Sequence, residues 1–210
     1  MKAIIFDMDG VMIDSEYAYT AAIKDLMAAL GHQLSEEYIY SFVGTTHEFT
    51  WTQIASDYQL DQDIMFYIED MMARREQIVA RDGLITYPHV REFIMAASQK
   101  GYRLAVASSS PKREILRTVQ HLAVESYFDQ LVSGEEVEQS KPAPDIFLRA
   151  AELLAVEPAD CMVIEDSKNG SVAAKAAGMY CIGYRDLERP AQDLSVTDQI
   201  VTDFLDIKLK

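Results

Sequence analysis

Cysteine is scarce in this chain. Its two thiols, Cys161 and Cys181, form no Cys-x-x-Cys spacing and have no histidine cluster beside them. That argues against a disulfide framework and against a zinc-ligand pattern, and it fits a reducing, cytoplasmic setting. Positive charge is scarce as well: 19 Lys and Arg face 34 Asp and Glu, for a net charge of −15. No local basic patch offsets the deficit, so neither a nucleic acid nor an anionic membrane surface is an expected partner. No apolar run approaches the length that spans a bilayer. At the N-terminus, the apolar stretch Ala3 to Phe6 meets Asp7 too soon to be a signal peptide. There is no internal repeat and no low-complexity segment. What is present is ordinary for a globular protein: 210 residues, 49% hydrophobic and 25% charged. A chain of this length buries roughly 70% of the surface exposed when unfolded, enough to fold without a covalent or metal staple.

The order of elements gives the fold class. Ala3 to Phe6 is a short β-branched and aromatic run that reads as a buried strand, ended by Asp7-Met8-Asp9-Gly10. From about Ser15 to Arg81 the pattern is helical, with segments near 16–30, 48–58 and 62–80. Gly31 suits the end of the first of these, and Met71, Met72, Ile78 and Val79 in the last look like packing residues. Beyond Pro88, strands and helices alternate. The strands are 103–107, 130–133, 161–164, 180–183 and 199–201. The helices are 90–100, one opened by Ser110-Pro111, 144–154, and one capped by Ser167. Such alternation implies parallel pairing. The expected architecture is a doubly wound, Rossmann-like α/β core of residues 1–14 and 82–210, with an all-helical cap domain, 15–81, inserted after the first strand.

Ligands in open parallel sheets sit beyond the carboxyl ends of the strands, so the residues following each strand are the candidates. Asp7 and Asp9 follow the first, Ser108 to Ser110 the second, Ser133-Gly134 the third with Lys141 shortly after, and Glu165-Asp166 the fourth. Two carboxylates about 4 Å apart repel by roughly 4 kcal/mol at an effective dielectric near 20. Four acids in one cleft therefore call for cations. Lys141 supplies one, and a hard divalent ion, Mg²⁺, suits the rest. Hydroxyls and free backbone N–H groups at Ser108 suit phosphate oxygens. The set points to phosphoryl transfer, where positioning and charge neutralisation supply most of the catalysis.

Four ordered motifs carry a family resemblance. Asp7-Met8-Asp9-Gly10-Val11, Val106-Ala107-Ser108-Ser109-Ser110, Lys141-Pro142-Ala143-Pro144-Asp145 and Val163-Ile164-Glu165-Asp166-Ser167 resemble those of the haloacid dehalogenase superfamily. The position of the helical insert resembles the small cap of its β-phosphoglucomutase-like subgroup. The resemblance implies that Asp7 is a nucleophile that becomes an aspartyl-phosphate, and that Asp9 is the acid and base. Ser108 and the Ser109 N–H would hold phosphoryl oxygens, and Lys141 would offset charge. It also implies Mg²⁺ held by Asp7, the Asp9 carbonyl and Asp166, with Glu165 nearby or acting through water. Dehalogenases of the superfamily lack the second aspartate, so Asp9 argues against dehalogenation.

In the cap, His47 follows Gly44-Thr45-Thr46 in a loop expected to face substrate, and Arg75 is a second candidate there. The other histidines, His32, His89 and His121, read as surface or loop residues, and Trp51 reads as core. The expected activity is Mg²⁺-dependent hydrolysis of a small phosphorylated metabolite such as a sugar or nucleotide phosphate. A phosphosugar mutase is the alternative, but the histidine and arginine that such mutases carry in the cap are met here by Tyr19 and the Thr46–His47 region. A receiver-like phospho-switch is a non-enzymatic third reading. Oligomeric state is not legible.

Overall fold

The computed structural model describes residues 1–42 and 45–209, so Gly44 of the expected cap loop lies outside the described residues. The chain divides into two compact units, Met1–Asp14 with Ile85–Lys210, and Ser15–Leu84. Among the described residues, no helix is long and apolar enough to cross a membrane.

The first unit is built on a six-stranded parallel sheet. In chain order its strands are β1 (Ala3–Phe6), β4 (Arg103–Ser108), β5 (Gln130–Ser133), β6 (Cys161–Glu165), β7 (Tyr180–Tyr184) and β8 (Gln199–Val201). Their spatial order is β5-β4-β1-β6-β7-β8, which places β1 at the centre. Every residue of β1 is buried, as expected of a strand covered on both faces. Side-chain alternation divides those faces. Ala3 and Ile5 join Ala105 and Ala107 in a cluster with Phe147, Ala150 and Leu154 of α7 (Asp145–Leu154) and with Ala173 and Ala174 of α8 (Lys168–Ala176). On the opposite face, Phe6 packs edge-on against Phe93 of α5 (Val90–Gln99), with ring centres 6.0 Å apart. A further α-helix of this unit, α6 (Lys112–His121), follows β4. The doubly wound core is thus the observed one.

Two strands were not expected. β2 (Ile13–Asp14) and β3 (Ile85–Thr86) pair antiparallel where the chain leaves and re-enters the first unit. Each is two residues long, too short to leave a periodic signal.

The second unit is all-helical among its described residues: α1 (Glu16–Ala29), α2 (Glu36–Tyr40), α3 (His47–Tyr58) and α4 (Ile64–Asp82). Gly31 takes a positive φ of 85° past the end of α1, a conformation that costs a residue without Cβ little. Thr46 and Asp63 cap α3 and α4 by accepting backbone N–H groups. The Asp63 cap starts α4 two residues later than its periodicity suggests. α2 was not expected either, because a single turn shows no periodicity. Trp51 is fully buried, as its reading as core implies, and stacks on Tyr67 at 5.4 Å.

Candidate active site

The register of the central strands assembles the site. Phe6 lies level with Val106 of β4 and Ile164 of β6, so Asp7, Ala107 and Glu165 emerge side by side at one edge of the sheet. The Asp7 N–H donates to the Ile164 carbonyl at 3.0 Å, which extends the ladder one residue into the motif. Lys141 comes from the segment after β5 and bridges two of the acids. Its Nζ lies 2.5 Å from Asp7 Oδ1 and 2.8 Å from Glu165 Oε1, and a third bond reaches the Ala107 carbonyl at 3.3 Å.

Two glycines permit this crowding. Gly10, at φ +77°, turns the chain after Asp9, and a methyl there would lie 2.0 Å from Asp166 Oδ2. A methyl at Gly170 in α8 would lie 1.6 Å from Glu165 Oε1. The first turn of α8 therefore closes directly over Glu165, and the Ser167 N–H and hydroxyl both donate to Glu165 Oε2, at 2.8 and 2.9 Å. With Lys141 on one oxygen and Ser167 on the other, Glu165 is held from both sides.

Asp7, Glu165 and Asp166 each offer an oxygen within 4.8 Å of the others. Burial pushes the Asp7 carboxyl up to about 7, against the pull of Lys141 and with the help of Glu165 and Asp9. Burial likewise raises Asp166 well above the usual carboxylate range, followed by Glu165 and Asp7. Burial opposes the Lys141 charge, but Asp7 and Glu165 more than compensate and hold the ammonium protonated. The donor set is all carboxylate, without histidine or thiolate, and its negative charge exceeds what one lysine balances. Those are the properties that a hard divalent cation such as Mg²⁺ fits.

Ser108 is buried. Its Oγ accepts the Ser110 N–H at 3.0 Å and lies 3.4 Å from Asp9 Oδ2. Ser109 is exposed at the edge of the site. The reading of Ser110 as a helix cap is corrected. α6 begins at Lys112 after Pro111, without a side-chain cap, and the Ser110 hydroxyl instead donates to Asp9 Oδ2 at 2.7 Å. A Ser-Pro pair reads as a helix start from sequence, and only the approach of the Asp9 turn reveals the other use of the hydroxyl.

The two cap candidates belong to the second unit and lie together within it. Arg75 stacks over the Tyr19 ring at 4.8 Å, and His47 packs on the same ring at 5.2 Å. Arg75 is buried and pairs with Glu76 at 2.7 Å, whereas Arg74 pairs with Asp70 one helical turn back.

The match of residues 4–184 to the haloacid dehalogenase-like hydrolase family model spans most of the chain. The chain belongs to the haloacid dehalogenase-like hydrolases. It is 32% identical over 85% of its length to the phosphorylated carbohydrates phosphatase of Thermotoga maritima, covering 82% of that protein. It is 31% identical over 86% of its length to hexitol phosphatase B of Escherichia coli, again covering 82%. Among solved structures, a candidate beta-phosphoglucomutase from Thermotoga maritima superposes with a TM-score of 0.83 at 30% identity, over 96% of this chain and 94% of that one. CbbY from Rhodobacter sphaeroides, solved with phosphate, superposes with a TM-score of 0.78 at 25% identity, over 98% and 96%. Membership of this family of hydrolases makes the chain an enzyme, and a receiver-like switch falls away.

Proposed function

We propose that this protein is a Mg²⁺-dependent phosphatase that hydrolyses small phosphate monoesters, sugar or nucleotide phosphates, through an aspartyl-phosphate on Asp7. The observation that carries the reading is the Lys141 bridge between Asp7 and Glu165, with Asp166 alongside: a carboxylate held next to a fixed cation at the edge of a parallel sheet. Relatives named as phosphatases of phosphorylated carbohydrates and of hexitols support the substrate class. The CbbY structure with phosphate supports the ligand chemistry. Both cysteines are free and buried, which suits a reducing cytoplasm.

In the first step an Asp7 oxygen bonds to phosphorus as the bond from phosphorus to the leaving alcohol breaks. Asp9 passes its proton to the departing oxygen. The Ser110 hydroxyl engages one Asp9 oxygen and so aims the other. Ser108 Oγ and the Ser109 N–H hold phosphoryl oxygens while Lys141 balances their charge. In the second step Asp9 takes a proton from water, the water oxygen bonds to phosphorus, and the bond to Asp7 breaks to release phosphate. Asp7, the Asp9 carbonyl and Asp166 would hold Mg²⁺, with Glu165 behind them anchoring Lys141. When bound, the ion supplies positive charge that keeps the carboxylates ionised and offsets that of the phosphoryl group.

The test is phosphate release from a panel of metabolite monoesters with Mg²⁺, with and without chelator. Release that the chelator stops is the expected result, and release unaffected by it removes the metal from the proposal. Isomerisation of β-glucose 1-phosphate with a bisphosphate primer and no phosphate release would replace the phosphatase with a mutase.

A further inference from the structure

Ser133-Gly134 stands at the carboxyl end of β5, and the proposed reaction gives it no role. Ser133 lies level with Ser108 at the end of β4 and is fully buried. Its hydroxyl donates to the Ser110 carbonyl at 2.8 Å, and its oxygen accepts the Glu135 N–H at 3.2 Å. Its own N–H donates to Glu136 Oε1 at 3.0 Å. Glu135 Oε2 in turn accepts the Lys112 N–H at 3.2 Å. Gly134 packs on the same turn: a methyl there would lie 3.1 Å from both the Cα and the carbonyl oxygen of Ser109. The backbone of 109–112 is thus held from the β5 side, by hydrogen bonds at Ser110 and Lys112 and by close packing at Ser109.

That backbone carries the hydroxyl aimed at Asp9. Ser110 Oγ donates to Asp9 Oδ2 at 2.7 Å, the Ser110 N–H donates to Ser108 Oγ at 3.0 Å, and Ser108 Oγ lies 3.4 Å from the same Asp9 oxygen. Both hydroxyls fall on Oδ2, so Oδ1 is the oxygen left to exchange a proton. The Ser110 carbonyl is the handle on this arrangement. A buried carbonyl that loses its donor turns toward another, and turning that peptide swings the Ser110 hydroxyl off Asp9. Ser133 also caps the short turn Gly134–Glu136. Capping uses the Glu135 N–H and the Glu136 carboxylate, and leaves the donation to Ser110 unexplained. We propose that Ser133 is a positioning residue for proton transfer: through the Ser110 carbonyl it keeps the Ser110 hydroxyl on Asp9 Oδ2 and leaves Oδ1 free for the ester oxygen.

The inference rests on the phosphatase reading, and its signature is the leaving group. An alkoxide needs a proton to depart, whereas p-nitrophenolate leaves without one, so a misaimed acid slows the alkyl ester selectively. The test measures kcat/KM of the full chain with Mg²⁺ on two kinds of ester. One is the alkyl phosphate cleaved fastest among sorbitol 6-phosphate, glucose 6-phosphate and ribose 5-phosphate; the other is p-nitrophenyl phosphate. Ser133→Ala is expected to lower the alkyl-to-aryl ratio by about tenfold, a part of the roughly 10²–10⁴-fold that general acid catalysis supplies. Ser110→Ala lowers it at least as much. In the double variant the ratio stays within about twofold of Ser110→Ala alone, because Ser133 acts through Ser110. A turn that is merely weakened slows both esters alike. An unchanged ratio in Ser133→Ala, or a double variant in which the two losses multiply, therefore overturns the assignment. If Ser133→Ala fails to fold, Ser133→Cys, whose thiol is a weak donor, is read by the same ratio.

A wild type that releases phosphate from none of these esters sinks the phosphatase reading. The positioning is then read from geometry, as it is where only one kind of ester is cleaved. Crystal structures are expected to show Ser110 Oγ hydrogen-bonded to Asp9 in the wild type and beyond about 3.5 Å from it in Ser133→Ala. The same contact kept in both overturns the role of Ser133, whatever reaction the site performs.

Discussion

The carboxylate cluster of the sheet unit and the arginine of the helical unit treat buried polarity in opposite ways. At the sheet edge, the buried Lys141 and Glu165 find their hydrogen-bond partners inside the protein, in Asp7, Ser167 and one another. In the insert, the buried Arg75 stacks on the Tyr19 ring and pairs with the exposed carboxylate of Glu76. The first arrangement fixes the atoms that, in the proposed reaction, strike a phosphorus centre. The charged side chains that the proposed reaction uses thus all reside in the sheet unit.

The comparison breaks most sharply at Asp7. Asp7→Asn keeps the shape and removes the nucleophile, and turnover is expected to fall by about four orders of magnitude or more with the circular dichroism spectrum unchanged. An Asp7→Asn enzyme of full activity would move the chemistry elsewhere. Lys141→Met comes next and is read as stability. Breaking a buried ion pair by removing one partner costs about 3–5 kcal/mol, because Asp7 and Glu165 are left buried and uncompensated. Urea unfolding at pH 7.5 checks this, and a midpoint equal to wild type refutes it.

Gly170→Ala sets two effects against each other. Alanine is the better helix former by about 1 kcal/mol. Its methyl would nevertheless stand 1.6 Å from Glu165 Oε1, so the carboxylate that anchors Lys141 must shift. The contact dominates, and kcat is expected to drop by about 10- to 100-fold with KM less affected. Unchanged kcat would show that Glu165 does not position Lys141.

The smallest effect belongs to the insert. Tyr19, Arg75 and Glu48 surround His47, and burial followed by Arg75 lowers its pKa below the unfolded value near 6.5. The unfolded chain then binds more protons over that range. The contribution of His47 to stability is therefore complete above the unfolded pKa and is lost as pH falls through the folded one. His47→Gln should show a shallower loss of melting temperature between pH 7.5 and 5 than the wild type. Parallel curves for the two proteins would remove His47 from the acid response.

Much of this division was open to a reader of the residues alone, for a physical reason. Asp7, Ser108, Glu165 and Asp166 sit at or directly beyond the ends of short apolar strands, and in a parallel sheet all such ends share one edge. Their meeting follows from local pattern plus one topological rule. Lys141 needed its Lys-Pro context, since a loop lysine has no strand to aim it. Ser110 was read as a cap because its neighbour is proline, and its bond to Asp9 depends on a turn about a hundred residues earlier in the chain. α2, β2 and β3 were missed because elements of two to five residues are too brief to show a period.

The spacing across the reaction centre is set by main-chain ladders on both flanks of β1, not by side chains. The sheet therefore acts as a gauge block. A one-residue slip of β6 against β1 would displace Glu165 by about 3.3 Å, more than the whole length of its bond to Lys141. Deletions or insertions within the strands should extinguish the enzyme outright, while lengthening the connections at the opposite, amino-terminal rim should leave it running.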